Sequence, residues 1–271
     1  MIDLARSGRR VVRVVVQAPP AEEVRFLAAA GCPSRSWRPP RDGADPDDWA
    51  AIQLSLKVAL AATALGLPLA LATALAQARG RFAVRVLLDV LVTLPLVLPP
   101  VATGYGLLLL FGRRGLIGEA LEKVGIVFAF DWTGAALAAG IMAFPLMVRP
   151  MRLAIEALDK EVDEVARTLG APPLVRFFRI TLPLALPGVA AGAILGFAKA
   201  LGEFGATITF VAAIPGETLT LPAAIYGATQ SPGDEARAGM LCLVAAAIAV
   251  GAVLVSDLVG RLATRTSRGA L

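Results

Sequence analysis

Five long apolar stretches constrain this chain more than any other feature. They run over about 50–77, 86–111, 133–151, 184–212 and 239–261. A helix needs about 20 mostly apolar residues to cross the hydrocarbon core of a bilayer, and each stretch approaches or exceeds that length. The stretches are rich in Leu, Ala and Val and lack period-two alternation, so they predict helices. A membrane barrel would instead need many alternating segments of about ten residues. Composition bears on the same point: 57% of the 271 residues are hydrophobic and 17% charged, with a mean hydropathy of +0.72. Soluble domains carry about 45–50% and 25%. The expected fold class is an all-α polytopic membrane protein with about five transmembrane helices per chain. The count alone leaves six open.

The organisation along the chain is uneven. Residues 1–48 are polar, with eight arginines, seven acids, Pro19-Pro20 and Pro39-Pro40. They are expected to form a disordered extension, or to reflect a misassigned start. The transmembrane domain is expected over 49–265, followed by a tail at 266–271. Basic residues in short loops set orientation, because cytoplasmic loops carry the excess. Arg79, Arg81 and Arg85, then Arg149, Arg152, Lys160, Arg167, Arg176 and Arg179, then Arg261, Arg265 and Arg268 fall on one side. Arg113, Arg114, Lys123 and Arg237 fall on the other. The richer side is expected in the cytoplasm, which places the N-terminus outside and the C-terminus inside.

Several chemistries are excluded. With no histidine in the chain, there is no Ser-His-Asp triad and no imidazole metal ligand. Cys32 and Cys242 cannot build an all-cysteine zinc site. No Gly-Lys dipeptide occurs, so the chain lacks the lysine loop that cradles nucleotide phosphates. No catalytic, cofactor-binding or metal-ligating residue is predicted, and no nucleic-acid partner is expected. If ATP is used, another polypeptide binds it.

The loop between the third and fourth stretches carries the strongest local pattern. Ile155, Leu158, Val162, Val165 and Leu169 are spaced 3, 4, 3 and 4, which predicts one apolar helix face. Gly170 follows, where a helix C-terminus favours positive φ. Pro172-Pro173 then suits the first turn of a second helix, with Leu174, Phe177 and Phe178 along its edge. Either these faces pack on the chain's own bundle, or they form a knob for a soluble partner.

Within the spans, Pro95, Pro99 and Pro100 remove backbone donors, which is tolerated only against protein or water. They predict a kinked helix beside a pathway. Lys199 and Glu203 are four apart and share a helix face. Charges at membrane depth are costly, so the two are expected to pair near a gate or cavity. Gly202 and Gly205 are expected to allow close helix approach. Thr207 and Thr209 add hydroxyls, and Glu203 is assigned to structure or gating because a carboxylate repels an anion. The pathway or gate set is thus Pro99, Pro100, Lys199, Glu203 and Thr207. Segment 217–230 is too short to span twice and is expected to form a periplasmic or re-entrant helix.

The residues Glu164-Val165-Ala166, three more, Gly170, nine more, then Ile180-Thr181-Leu182-Pro183 resemble the EAA motif. That motif marks permease subunits of bacterial binding-protein-dependent ABC importers. Val165 departs from it, since the family carries alanine there. Leu94–Val101 with Gly104-Tyr105 resembles the second span of the molybdate and sulfate permeases of this family, whereas Phe111–Glu119, Ala200–Phe210 and Ile214–Thr218, with Phe144–Arg149 also fitting, are similar to the molybdate type. The likeness covers about 49–265. It implies an ABC importer permease fold with a cytoplasmic coupling helix, in a symmetric homodimer in the bacterial inner membrane. It further implies an ATP-binding subunit that grips Glu164, Ala166, Gly170, Ala171 and Leu174, and a periplasmic oxyanion-binding protein. Sulfate, tungstate or another oxyanion is the alternative cargo. A secondary transporter or a membrane anchor is the alternative class.

Overall fold

The computed structural model describes residues 46–268. All regular structure among them is helical. The first helix, α1, is Pro46–Arg79. It is followed by α2 (Phe82–Val97), α3 (Pro100–Phe111), α4 (Gly118–Glu122) and α5 (Trp132–Glu156). A short pair, α6 (Lys160–Thr168) and α7 (Pro173–Arg176), leads through a π-helical turn at Phe177–Thr181 into α8 (Leu182–Leu201). The chain ends in α9 (Gly205–Val211), α10 (Leu221–Gln230) and α11 (Glu235–Arg268). Four helical segments are long and apolar enough to cross a membrane, or five if the bent pair α2–α3 counts as one.

Three boundaries differ from the sequence reading. The stretch 86–111 is not one helix: it breaks at Leu98–Pro99, and α2 and α3 meet at a 112° bend. The stretch 184–212 stops at Leu201, and α9 is a separate helix beyond Gly202. The same span begins earlier than expected, because α7, the π-turn and α8 run together from Pro173 to Leu201. The apolar face from Ile155 to Leu169 is also split. Ile155 closes α5, and Asp159 caps a new helix by accepting from the Glu161 N–H at 2.9 Å. A polar residue that binds its own downstream amide favours a helix start over helix continuation.

The boundary drawn at residue 48 lies within α1, whose first turn contains Asp47 and Asp48. Residues 1–45 of the polar extension lie outside the described residues. At the other end, 266–268 continue α11, and 269–271 lie outside the description.

The core is built around α5. Its buried face runs through Ala135, Ala138, Ala139, Met142, Met147 and Met151 and packs mainly against α1 and α8. On α8, Gly188, Gly192 and Gly196 recur every four residues and meet this face. A Cβ on Gly192 would lie 2.6 Å from the Met147 carbonyl oxygen, and one on Gly196 would lie 2.5 Å from Met147 Cγ. In a bilayer no hydrophobic force drives helices together, so such small residues let backbones approach and gain dispersion contacts. Gly192→Val is therefore expected to force α8 off α5. Overpacking of this kind costs about 1–3 kcal/mol, or more against backbone. Thermal unfolding in detergent should show a clear drop in midpoint.

Both ends of the bundle are tied by polar contacts. At the end away from the 157–172 loop, Arg237 at the start of α11 binds the fully buried Asp48 of α1, with Nε 3.0 Å from both carboxylate oxygens. Ser55 of α1, also buried, accepts from the Leu221 N–H at 2.6 Å and so caps α10. Ala51, Ile52, Leu221, Ala224 and Leu241 close an apolar cluster beneath these contacts. At the loop end, Arg152 reaches Asp89 at 3.1 Å and Glu156 at 3.0 Å, and Arg85 reaches Glu156 at 2.9 Å. Arg79 donates to Thr181 at 2.9 Å and joins the end of α1 to the π-turn.

Candidate functional site

Two places gather the residues singled out in the sequence. The first is the α6–α7 loop. Leu169 ends α6, and Gly170 takes φ +78°. The Gly170 N–H donates to the Arg167 carbonyl at 3.0 Å, and the Ala171 N–H donates to the Ala166 carbonyl at 3.1 Å. Together these two bonds satisfy the last carbonyls of the helix and reverse the chain in two residues, an arrangement open chiefly to glycine. Pro172 caps α7 and Pro173 starts it, where a missing N–H costs nothing. Arg176 closes the loop by binding the Asp163 carboxylate at 2.9 Å. The sequence reading lacked this link, because nothing in the pattern joins two residues on separate helices.

The loop presents an unpartnered apolar ridge. Leu169 is 81% exposed and Leu174 72%, and Val162 and Val165 are exposed beside them. Of the two readings left open by the pattern, packing of this ridge on the chain's own bundle is therefore not observed among the described residues. Glu164 is exposed on the same short helix, and Ala166 and Ala171 are half-buried where their backbones pair. Phe177 and Phe178 stack edge to face at 4.9 Å in the π-turn. Thus α6 and α7 form one hook, and α7 runs through the π-turn into α8 without a break.

The second place is the corner between α3 and α9. Pro99 caps α3, and Pro100 is its first residue. A helix start normally leaves four orphan N–H groups, and here a proline removes one at the first helical position. The 112° bend is thereby cheaper in an apolar setting. The helix then packs directly on α9. A Cβ on Gly205 would lie 2.6 Å from Pro100 Cβ, and one on Gly104 would lie 2.5 Å from the Ala206 carbonyl oxygen. Gly205 does allow the close approach expected of it. Gly202 does not, since the nearest atom to a Cβ there is 3.7 Å away.

Glu203 sits in the turn before α9 and is only 3% exposed. One carboxylate oxygen accepts from Lys199 Nζ at 2.5 Å, and the other accepts from the Ala206 N–H at 3.0 Å. The carboxylate thus neutralises a cation and caps α9 at once. Both oxygens are engaged, so it is not presented to an anion. Thr207 is buried within α9, and Thr209 donates to the Gly205 carbonyl at 2.9 Å. The far end of α9 is held by Thr218, which is fully buried. Its hydroxyl accepts from the Ile214 N–H at 3.0 Å and donates to the Val211 carbonyl at 3.3 Å. Ala212 between them takes φ +62° and ψ −166°, a backbone region open essentially to glycine that costs an alanine about 1–3 kcal/mol. Phe204 lies against Tyr226 of α10 at 5.0 Å. Pro100, Lys199, Glu203 and Thr207 therefore belong to one corner. Thr218 went unassigned in the sequence reading, as its role depends on a loop that no periodicity describes. Among the described residues no three of Cys, Asp and Glu gather to hold a metal ion.

The fold is that of a polytopic helical membrane protein. Residues 66–268 match the family described as binding-protein-dependent transport system inner membrane component, and the chain belongs to it. The molybdenum transport system permease protein ModB of Escherichia coli K12 is 51% identical over 219 residues, covering 80% of this chain and 95% of that protein. ModB of Haemophilus influenzae is 48% identical, covering 77% and 91%. The chloroplastic sulfate permease 2 of Chlamydomonas reinhardtii is 35% identical, covering 83% of this chain and 61% of that protein. Among solved structures, a bacterial ABC transporter involved in import of the acidic polysaccharide alginate superposes with a TM-score of 0.63 at 17% identity, covering 82% of this chain and 80% of that one. That likeness bears on the fold alone.

Proposed function

We propose that this chain is the transmembrane permease subunit of an ATP-driven importer that moves molybdate across the cytoplasmic membrane. The observation that carries the reading is the exposed Leu169–Leu174 ridge on a hook continuous with α8, in a member of a binding-protein-dependent transport family. The cargo is inferred from two ModB relatives at 51% and 48% identity. An apolar ridge at this spacing suits a groove on a soluble subunit, and the missing phosphate-binding lysine loop assigns ATP to that subunit. Glu164, Ala166, Gly170, Ala171 and Leu174 form the docking surface in this reading. The count of basic residues favours the hook on the cytoplasmic side, with the N-terminus outside. A chain of about five spans is small for a whole pathway, so two copies around a shared pore are expected. Pro99, Pro100, Lys199, Glu203 and Thr207 then frame a gate. An external oxyanion-binding protein delivers the ion, which lets the pore bind it weakly enough to release it.

Reconstitution with the ATP-binding subunit and the binding protein tests this. Molybdate-stimulated ATP turnover is expected, and Gly170→Pro should uncouple it, because proline cannot adopt φ +78°. Turnover that sulfate stimulates and molybdate does not would favour the second cargo, for which the chloroplastic sulfate permease relative speaks.

A further inference from the structure

A groove of about 660 Å³ lies between α1, α2 and α5, and no residue of the hook or of the α3–α9 corner lines it. Its floor is made of small residues, including Ala62, Gly66, Ala136 and Gly140. Its rim carries Leu65, Leu69 and Leu91, which are exposed. The two hydroxyls in the lining are already engaged. Thr73 donates to the Leu69 carbonyl at 2.8 Å, and Thr133 donates to Asp131 Oδ2 at 2.5 Å. Apart from the Trp132 indole at one end the lining is apolar, so an occupant must be apolar along most of its length.

The dimensions are those of one leaflet. Along α5 the groove extends from Trp132 to Phe144. At 1.5 Å per residue that is about 18 Å, against about 15 Å for half of a 30 Å hydrocarbon core. Trp132 marks the end away from the hook, where tryptophan favours the membrane–water boundary. Directly over its ring lies Lys57 Nζ, 3.6 Å from the centroid. Lys57 is exposed, and among the described residues no carboxylate is recorded within ion-pair distance of it. Asp131, the nearest acid in sequence to Trp132, is occupied in capping α5. The site thus offers an apolar slot one leaflet deep with a cation at its mouth.

We infer that the groove holds an acyl chain of an anionic phospholipid from the leaflet opposite the hook, and that the lipid phosphate pairs with Lys57. Charge complementarity selects the headgroup, and the slot selects the tail. A cation near a membrane surface contributes on the order of 1 kcal/mol toward an anionic lipid, which corresponds to about a fivefold preference.

Native mass spectrometry of the full chain in mild detergent tests this, with phosphatidylglycerol and phosphatidylcholine of identical tails as probes. About fivefold greater retention of phosphatidylglycerol is expected. Lys57→Gln should bring it down to the phosphatidylcholine level. Leu69→Trp, at the exposed rim, should lower retention of both lipids by obstructing the slot. Thermal unfolding of each variant checks that the fold is kept. Equal retention of the two lipids, unchanged by Lys57→Gln, would overturn the proposal. So would efficient Leu69→Cys disulfide cross-linking between copies, which would make a second chain the occupant.

Discussion

Replacing Leu169 and Leu174 together by aspartate is expected to abolish capture of the ATP-binding subunit while leaving the permease folded. Both side chains are largely exposed in the isolated chain, so neither contributes much to its own stability. Surface substitutions away from special features change stability by about 0.5 kcal/mol or less. In a groove the same side chains gain about 1.5–3 kcal/mol each when fully buried. Losing both forfeits about 3–6 kcal/mol, and an aspartate held in an apolar pocket adds a desolvation penalty. At 1.4 kcal/mol per tenfold, affinity should fall by at least about a hundredfold. A pull-down in mild detergent reads this, with size-exclusion chromatography as the control for folding. The neighbouring Gly170 and the Arg176–Asp163 pair stay intact in this variant, so loss of capture would report on the ridge itself.

The second large effect is expected at Glu203. Glu203→Ala removes the partner of Lys199 and the acceptor of the Ala206 N–H in one step. An orphaned buried donor costs about 1–3 kcal/mol, and removing one partner of a buried ion pair costs about 3–5 kcal/mol. Lys199 is 28% exposed along its side chain, so it recovers part of the loss by reaching water. A total of about 3 kcal/mol follows, spent locally on the α8–α9 turn. The wider consequence comes from geometry. Gly205 sits 2.6 Å, by its absent Cβ, from Pro100, so an α9 freed at its start no longer holds α3. Uptake should fall close to background, with a lowered unfolding midpoint. Glu203→Gln keeps an acceptor for Ala206 while losing the charge, and should lie between the two.

Much of the molecule was legible in the sequence, for reasons that differ by element. The long spans were readable because burial in lipid demands uninterrupted apolar length. Gly170 was readable because a helix end that reverses the chain calls for positive φ, and glycine provides it. The Lys199–Glu203 contact followed from a spacing of four. The breaks were harder to read. Leu94 to Leu98 is apolar enough to hide a helix end, and Lys199 and Glu203 keep a helical spacing of four across the end at Leu201, so only backbone geometry separates α2 from α3 and α8 from α9. The split at Asp159 was hidden by Leu158 and Val162, which keep the helical spacing across it. Contacts between distant segments left no trace in the pattern: Asp48 with Arg237, Lys57 with Trp132, and the Gly188–Gly192–Gly196 stripe against Met147 and Met151.

The most direct test of the central claim is uptake of labelled molybdate into proteoliposomes that contain this chain, its ATP-binding subunit and its binding protein. Uptake is expected to require ATP and to be lost in the Leu169→Asp, Leu174→Asp double variant. Uptake that proceeds without ATP under an ion gradient, at the same rate in that variant, would contradict it.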